Sequence, residues 1–308
     1  MFFKTLSRYK WFVLGSITMA ALMIASSLLQ PWLLKRILDA LQSNSGQTIS
    51  STGVWLVGIG IVGLVAGGIN VIIAAYIAQA VSSDLREATF RKIQTFSYAN
   101  IEKFNAGNLV VRMTNDINQV QNLVMMVFQI LFHLPLLFIG SVILALMTLP
   151  SLWWIIVLLI VLVSGLTALM MGLMGPRFRK FQVLLEKMNS IAKENLRGVR
   201  VVKSFVQEQE QFKKFSQVSD DLLSQNLFIG YAFSIVEPIM MFVGYGAVFL
   251  AVWALSGMVQ ADPEIVNSIA SFVGYLNQII FTIIMVGFLG NTVTRALISI
   301  RRINGVLD

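Results

Sequence analysis

Six apolar stretches dominate this chain, at about 11–34, 53–80, 122–148, 151–175, 227–256 and 265–290. About 20 apolar helical residues cross the hydrocarbon core of a bilayer, so each stretch is long enough to span one. Lipid offers no partners to backbone polar groups, which leaves helices and closed barrels as spanning structures. The pattern predicts an all-α membrane protein with six long transmembrane helices. Composition agrees: of 308 residues, 56% are hydrophobic and only 12% charged, about half the charge of a soluble domain. Too few polar residues remain to clothe a soluble enzyme or a disordered regulator. The absence of Cys excludes disulfides and thiol chemistry, and a lone His leaves no metal constellation. The first stretch follows Lys4, Arg8 and Lys10 as a signal core would. It runs too long and lacks a small-residue cleavage pattern, so it reads as an uncleaved first span.

The connections are unequal. Those at 42–52, around Pro150 and at 257–264 are short, whereas 81–121 and 176–226 are long and polar. Of the 23 Lys and Arg residues, all but Lys35 and Arg36 fall in the N-terminal ten residues, the two long segments or the tail. The positive-inside rule then puts both termini and both long segments in the cytoplasm. The net charge of +8 is thus a topology signal, with attraction to anionic membrane lipid added. No nucleic-acid partner is expected.

The long segments carry helical periodicity. Phe178, Phe181, Leu185, Met188, Ile191 and Ala192, Leu196, Val199 and Val202 recur at steps of three and four. No Pro or Gly interrupts Arg177 to Arg197, a rise of about 30 Å at about 1.5 Å per residue. The return leg, about Val206 to Leu227, carries Phe212, Phe215, Val218 and Leu222. Val81 to Phe96 repeats the design with Leu85, Ala88 and Ile93, broken by Asn105, Gly107 and Asn108. A helix is expected to resume near Thr114, with Asp116 acting on its early turns by capping or dipole. Each pair of spans thus forms a hairpin reaching into the cytoplasm. Its tip either contacts a soluble partner or closes a self-packed four-helix bundle.

Four strings add a family resemblance. Gly107-Asn108-Leu109-Val110-Val111-Arg112-Met113-Thr114-Asn115-Asp116 resembles the first cytoplasmic loop of ABC exporter half-transporters, of the B-type, multidrug-exporter-like class. Glu194-Asn195-Leu196-Arg197-Gly198-Val199-Arg200-Val201-Val202-Lys203-Ser204-Phe205 resembles the second, with Glu208 and Phe215 following. Pro31 with Asp39 fits the end of the first span, and Arg301 to Asp308 resembles the end of the transmembrane domain. The resemblance covers the whole chain as one transmembrane domain, 1–308. It implies a dimer, homomeric or heteromeric, driven by two nucleotide-binding domains that hold ATP and Mg. It also implies coupling helices near the tips, carried by Tyr98, Asn100, Ile101 and Phe104 in the first and Leu196, Arg197, Val199 and Arg200 in the second.

No Gly-x-x-x-x-Gly-Lys string occurs in the chain. The phosphate cradle and its Lys are therefore absent, so no ATPase site and no cofactor belongs to this sequence. The nucleotide-binding domain is expected on a separate polypeptide or in a part of the protein not in this sequence. Gly58-Ile59-Gly60-Ile61-Val62-Gly63 matches a dinucleotide fingerprint, but it lies inside an apolar span instead of between strand and helix. Close helix packing through Gly63 and Gly67 is the better account.

Candidate substrate residues lie in the spans. Glu237, beside Pro238, is an intramembrane carboxylate, which must face water or a partner. It reads as a cation-recognition residue or as a hydrated residue near the span's cytoplasmic end. His133 suits a proton relay or an interhelical hydrogen bond. Asn70, Gln129, Asn277 and Gln278 suit interhelical bonds or cavity lining. Met240, Met241, Phe242, Tyr245, Phe249, Phe272, Tyr275, Phe281 and Met285 form either a pliable apolar cavity or ordinary packing. The expected activity is ATP-driven export of amphipathic, cationic or otherwise hydrophobic small molecules from a bacterial cell membrane by alternating access. Lipid or peptide export is the substrate-level alternative. A secondary transporter, a channel or a non-transporting scaffold would leave the hairpins or their motifs unexplained.

Overall fold

The computed structural model describes residues 7–43, 45–97, 104–259 and 264–307. No strand occurs among them, and six helices are long and apolar enough to cross a membrane. The chain is an integral membrane protein with an all-α architecture. Helix α1 spans Lys10–Gln42 and α2 Gly46–Gln94. The third span is segmented: α3 (Ala106–Val111), a π turn (Arg112–Asp116), α4 (Ile117–Met126), a second π turn (Val127–Leu131) and α5 (His133–Thr148). A 3-10 turn at Pro150–Leu152 leads into α6 (Trp153–Arg197). Short α7 (Val199–Ser204) precedes α8 (Glu208–Val259) and α9 (Glu264–Leu307).

Helix α2 begins at Gly46, ahead of the apolar stretch near 53, and the Ser45 carbonyl accepts the first helical bonds, from Thr48 N and Ile49 N. One helix start differs from the sequence reading. The third span resumes at Ala106 instead of near Thr114. Asn105 adopts φ 58°, and its side chain accepts from Gly107 N at 3.1 Å, which caps the helix. Asn tolerates this left-handed backbone better than most residues. Asp116 makes no capping bond; it is used elsewhere, as described below.

The chain divides into two compact units, Met1–Ile160 with Val248–Asp308, and Val161–Ala247. Small residues bring α1 and α2 together in the first unit. A Cβ at Gly63 would collide with Ser26, whose hydroxyl donates to Ile59 O at 2.6 Å, and one at Gly67 would crowd Met23 Sδ. Both glycines are thus packing residues. Near the basic end, Ile77, Val81, Ile117, Val120, Phe128 and Ile303 form a sealed core from α2, α4, the second π turn and α9. Tyr9 ties the N-terminal turn to it by donating to Asp84 Oδ2 at 3.2 Å.

Pro31 lies inside α1. Proline has no N–H, so it leaves the carbonyl four residues back without a helical donor. That carbonyl belongs to Ser27, and Gln278 Nε2 on α9 donates to it at 2.8 Å. Tyr275 donates to the adjacent Leu28 carbonyl at 3.2 Å, and Ser141 on α5 donates to Gln278 Oε1 at 2.7 Å. Three helices thus share one polar clamp. A Cβ at Gly274 would fall 2.9 Å from Pro31 Cβ, so a glycine is required where α9 crosses the break.

In the second unit, α6 and α8 meet through Arg177. Its Nη1 donates to Gln225 Oε1 at 3.3 Å, and its guanidinium lies 4.3 Å from the Phe228 ring centre. Phe178 and Phe233 pack at 6.2 Å beside it. Both helices leave large apolar side chains exposed, among them Leu169, Met171, Phe242 and Tyr245.

Candidate functional site

The first turn, between α2 and α3, is held from several sides. Phe104 stacks on Phe96 at 5.7 Å, and the Arg112 guanidinium sits 4.9 Å over the Phe104 ring. Arg112 Nη1 donates to the Arg302 carbonyl of α9 at 2.9 Å. Asp116 is buried, at 3% exposure, and its Oδ1 accepts from Ser299 at 2.8 Å. Of the expected coupling residues in this turn, Phe104 lies against Phe96 and Arg112, while Tyr98, Asn100 and Ile101 lie outside the described residues.

The second turn, between α6 and α8, is built differently. Gly198 N donates to Glu194 O at 2.8 Å, and α7 follows at once. Val206 takes φ 54°, a strained conformation for a β-branched residue. Lys203 Nζ donates to Glu208 Oε1 at 2.8 Å, closing the turn. That bond, with the one made at Glu208's own backbone, holds the Glu208 carboxyl below its ordinary value. Leu196 is 77% exposed, and Val199, Val201, Phe205 and Val206 are exposed with it. Arg197 and Arg200 are exposed beside them. Here the expected coupling residues come together as an apolar tip rimmed by Arg, on helices that run far past their apolar spans.

The candidate substrate residues divide between the units. Glu237, Met240, Met241 and Tyr245 belong to the second. Glu237, Met241 and Tyr245, at steps of four, share an exposed stripe of α8, while Met240 is buried. Phe249 is exposed and belongs to the first unit, as does half-exposed Phe281. Phe272 and Tyr275 are buried at α9's packed face, and Gln278 serves the Pro31 clamp. Gln129 lies in the second π turn and His133 directly follows it; both are half-buried. The π turn skips a backbone carbonyl. Asn70 Nδ2 donates to Phe128 O there at 3.3 Å, while Asn70 Oδ1 accepts from Ser16 at 2.6 Å. Among the described residues, no three His, Asp or Glu side chains gather closely enough to hold a metal ion.

Sequence reasoning missed Ser299, Ser141 and the role of Arg112. Ser141 had no direct signal, since it donates to Gln278 Oε1 on another helix and not to the carbonyl that Pro31 frees. Ser299 had none, since its partner lies 183 residues away.

Residues 13–301 match the model of the ABC transporter transmembrane region. The chain belongs to this family. It is 28% identical over 291 residues to the uncharacterized ABC transporter ATP-binding protein YfiB of Bacillus subtilis (strain 168), covering 92% of this chain and 50% of the relative. It is 28% identical over 225 residues to the uncharacterized ABC transporter ATP-binding protein Rv1273c of Mycobacterium tuberculosis (strain ATCC 25618 / H37Rv), covering 73% and 39%. An ATP-dependent lipid A-core flippase of Shewanella denitrificans is 26% identical over 196 residues, covering 62% and 32%. The chain thus spans half or less of the length of these curated relatives. Within the ABC transporter family, its six spanning helices are the membrane region.

Proposed function

We propose that this chain is the membrane half of an ATP-driven exporter that moves amphipathic compounds out of the cytoplasm by alternating access. The observation that carries the reading is the apolar tip at Leu196, Val199, Val201, Phe205 and Val206, exposed on a turn rimmed by Arg. Exposed apolar clusters with a polar rim mark protein interaction sites. The basic residues favour a cytoplasmic position for this turn. A nucleotide-binding domain holding ATP and Mg is the occupant this reading calls for, and the relatives' printed names support it. ATP acts by favouring one of two global states of the membrane helices. The exposed apolar faces of α6 and α8 suit a second copy or a related half-transporter, with lipid around both. The stripe Glu237, Met241 and Tyr245 suits hydrophobic cations. Lipid is the second substrate reading, favoured by the flippase relative.

The test is the complete transporter, with its nucleotide-binding domains, in vesicles of bacterial lipid. Hydrophobic cations are expected to stimulate ATP hydrolysis, and Glu237→Ala to weaken cations more than neutral compounds. Stimulation by lipid alone would replace the drug reading. Failure of a photo-crosslinker at Val199 to reach an ATPase domain would overturn the coupling itself.

A further inference from the structure

The Gly107–Asp116 motif does more than shape a turn. Arg112 and Asp116 bracket one π turn, and both reach α9. Arg112 grips the Arg302 carbonyl at 2.9 Å, and Asp116 grips the Ser299 hydroxyl at 2.8 Å. Residues 299 and 302 are one helical turn apart, so α9 is held at two levels. The Arg302 guanidinium adds a longer approach, 3.9 Å, to the same Asp116 oxygen.

This arrangement is costly. Asp116 Oδ2 and Arg112 Nε are buried with no hydrogen-bond partner among the described residues. Fully buried Ile117 and nearly buried Ile303 flank the pair. A buried polar atom without a partner costs about 1–3 kcal/mol. Apolar packing alone gives no reason for a carboxylate at this buried position. The best-attested use of such buried polar groups is to fix register between helices.

We propose that Asp116 and Arg112 are positioning residues that lock the first turn to the end of α9, so that turn and helix end move as one body. Phe96, Phe104, Arg112 and Arg302 form the continuous path, at 5.7, 4.9 and 2.9 Å. The consequence for transport rests on the reading that this turn meets a nucleotide-binding partner. A displacement imposed on the turn by that partner is then delivered directly to the last spanning helix.

The chain has no Cys; with any Cys of the nucleotide-binding domains replaced and only one of the two membrane halves labelled, spin labels are attached at Val110→Cys and Ile298→Cys, both exposed in the first unit. Distances are measured by pulsed electron resonance in the complete transporter in nanodiscs, without nucleotide and with ATP plus vanadate. The expected result is one narrow distance, identical in both conditions. Asp116→Ala is expected to add a second population displaced by about one helical turn, ~5 Å. Asp116→Asn, which keeps the acceptor for Ser299, restores the single population. If Asp116→Ala does not assemble, Ser299→Ala removes only the hydroxyl and is expected to broaden the distance. Distributions of all variants superimposing on the parent overturn the lock, as do two distances in the parent. A control label pair reports the gap between the second turns of two copies. If that gap ignores ATP while the lock behaves as expected, the exporter reading fails and the lock stands.

Discussion

The two long polar segments repeat one helical design, yet their turns are held in opposite ways. The first is tied down by residues nearly two hundred positions away, through Arg112 to Arg302 and Asp116 to Ser299. The bonds described for the second stay between 194 and 211: Gly198 to Glu194, Ser204 to Arg200, Lys203 to Glu208, Gln211 to Gln207. The first turn therefore takes its shape from its own unit. The second keeps its fold with local bonds and offers its apolar side chains outward. On the proposed reading, a turn of the first kind carries displacement within the chain, and one of the second kind is completed by a partner.

The largest effect is expected from charging the second tip. Leu196→Asp with Val199→Asp introduces carboxylates at exposed positions, so folding should be unaffected. If these side chains anchor a nucleotide-binding partner, each is worth about 2 kcal/mol, roughly 30-fold in affinity. Transport by the complete protein should be abolished at an unchanged thermal midpoint. A fall in midpoint would mean that the second turn is as integral to the fold as the first. The opposite outcome is expected for Leu109→Asp in the first turn, where the side chain is buried, and there the midpoint should fall.

The next effect separates the turns by stability. Ser299→Ala removes the donor to a buried carboxylate, and a loss of about 1–3 kcal/mol is expected. Thermal unfolding in detergent measures it. Ser204→Ala removes a hydroxyl bonded only to the carbonyl four residues back, and it should shift the midpoint very little. Equal shifts would erase the distinction between a long-range and a local anchor.

The six spans and the long helical hairpins were legible because each depends on contiguous residues and a period. The packing role of Gly63 and Gly67 was legible for the same reason. What the sequence left open is where single polar side chains go. Asp116 sits at the start of an amphipathic helix, where capping is the local expectation, yet a donor on α9 claims it. Gln278 reads equally as an interhelical bond or as cavity lining until Pro31 is seen to leave the Ser27 carbonyl without its helical donor. In each case the deciding partner is distant in sequence, and helical periodicity carries no information about it. The residues of the second tip fall within one segment, so their proximity could be read from the sequence, whereas their exposure could not.

A smaller effect tests strain. Val206 holds φ 54°, a region that costs an L-residue with a side chain about 1–2 kcal/mol. Val206→Gly removes that cost but gives back part of it through the freer unfolded chain. A net gain of about 1 kcal/mol or less is expected. It should be seen as slower amide exchange across α7. No change would mean that the strain is absorbed elsewhere in the turn.

The smallest effect concerns pH. The Lys203 ammonium donates to Glu208, and this lowers the carboxyl below its ordinary value of 4.5. A depressed carboxyl stabilises the folded turn at all pH values above 4.5, and the contribution is lost only as pH falls through the lowered value. The clip is solvent-exposed, so its effect on overall stability is small. It is read best at the residue itself, by the carbon-13 shift of the Glu208 carboxyl. The titration midpoint is expected below 4.5, returning to the ordinary value in Lys203→Ala. Spin-label mobility at residue 206 should stay constant from neutral pH down to that midpoint and rise beneath it. A label at Val110, on a turn tied by bonds other than the Lys203–Glu208 clip, should not follow the same curve. A shared curve would make the two turns one titrating body and undo the contrast between them.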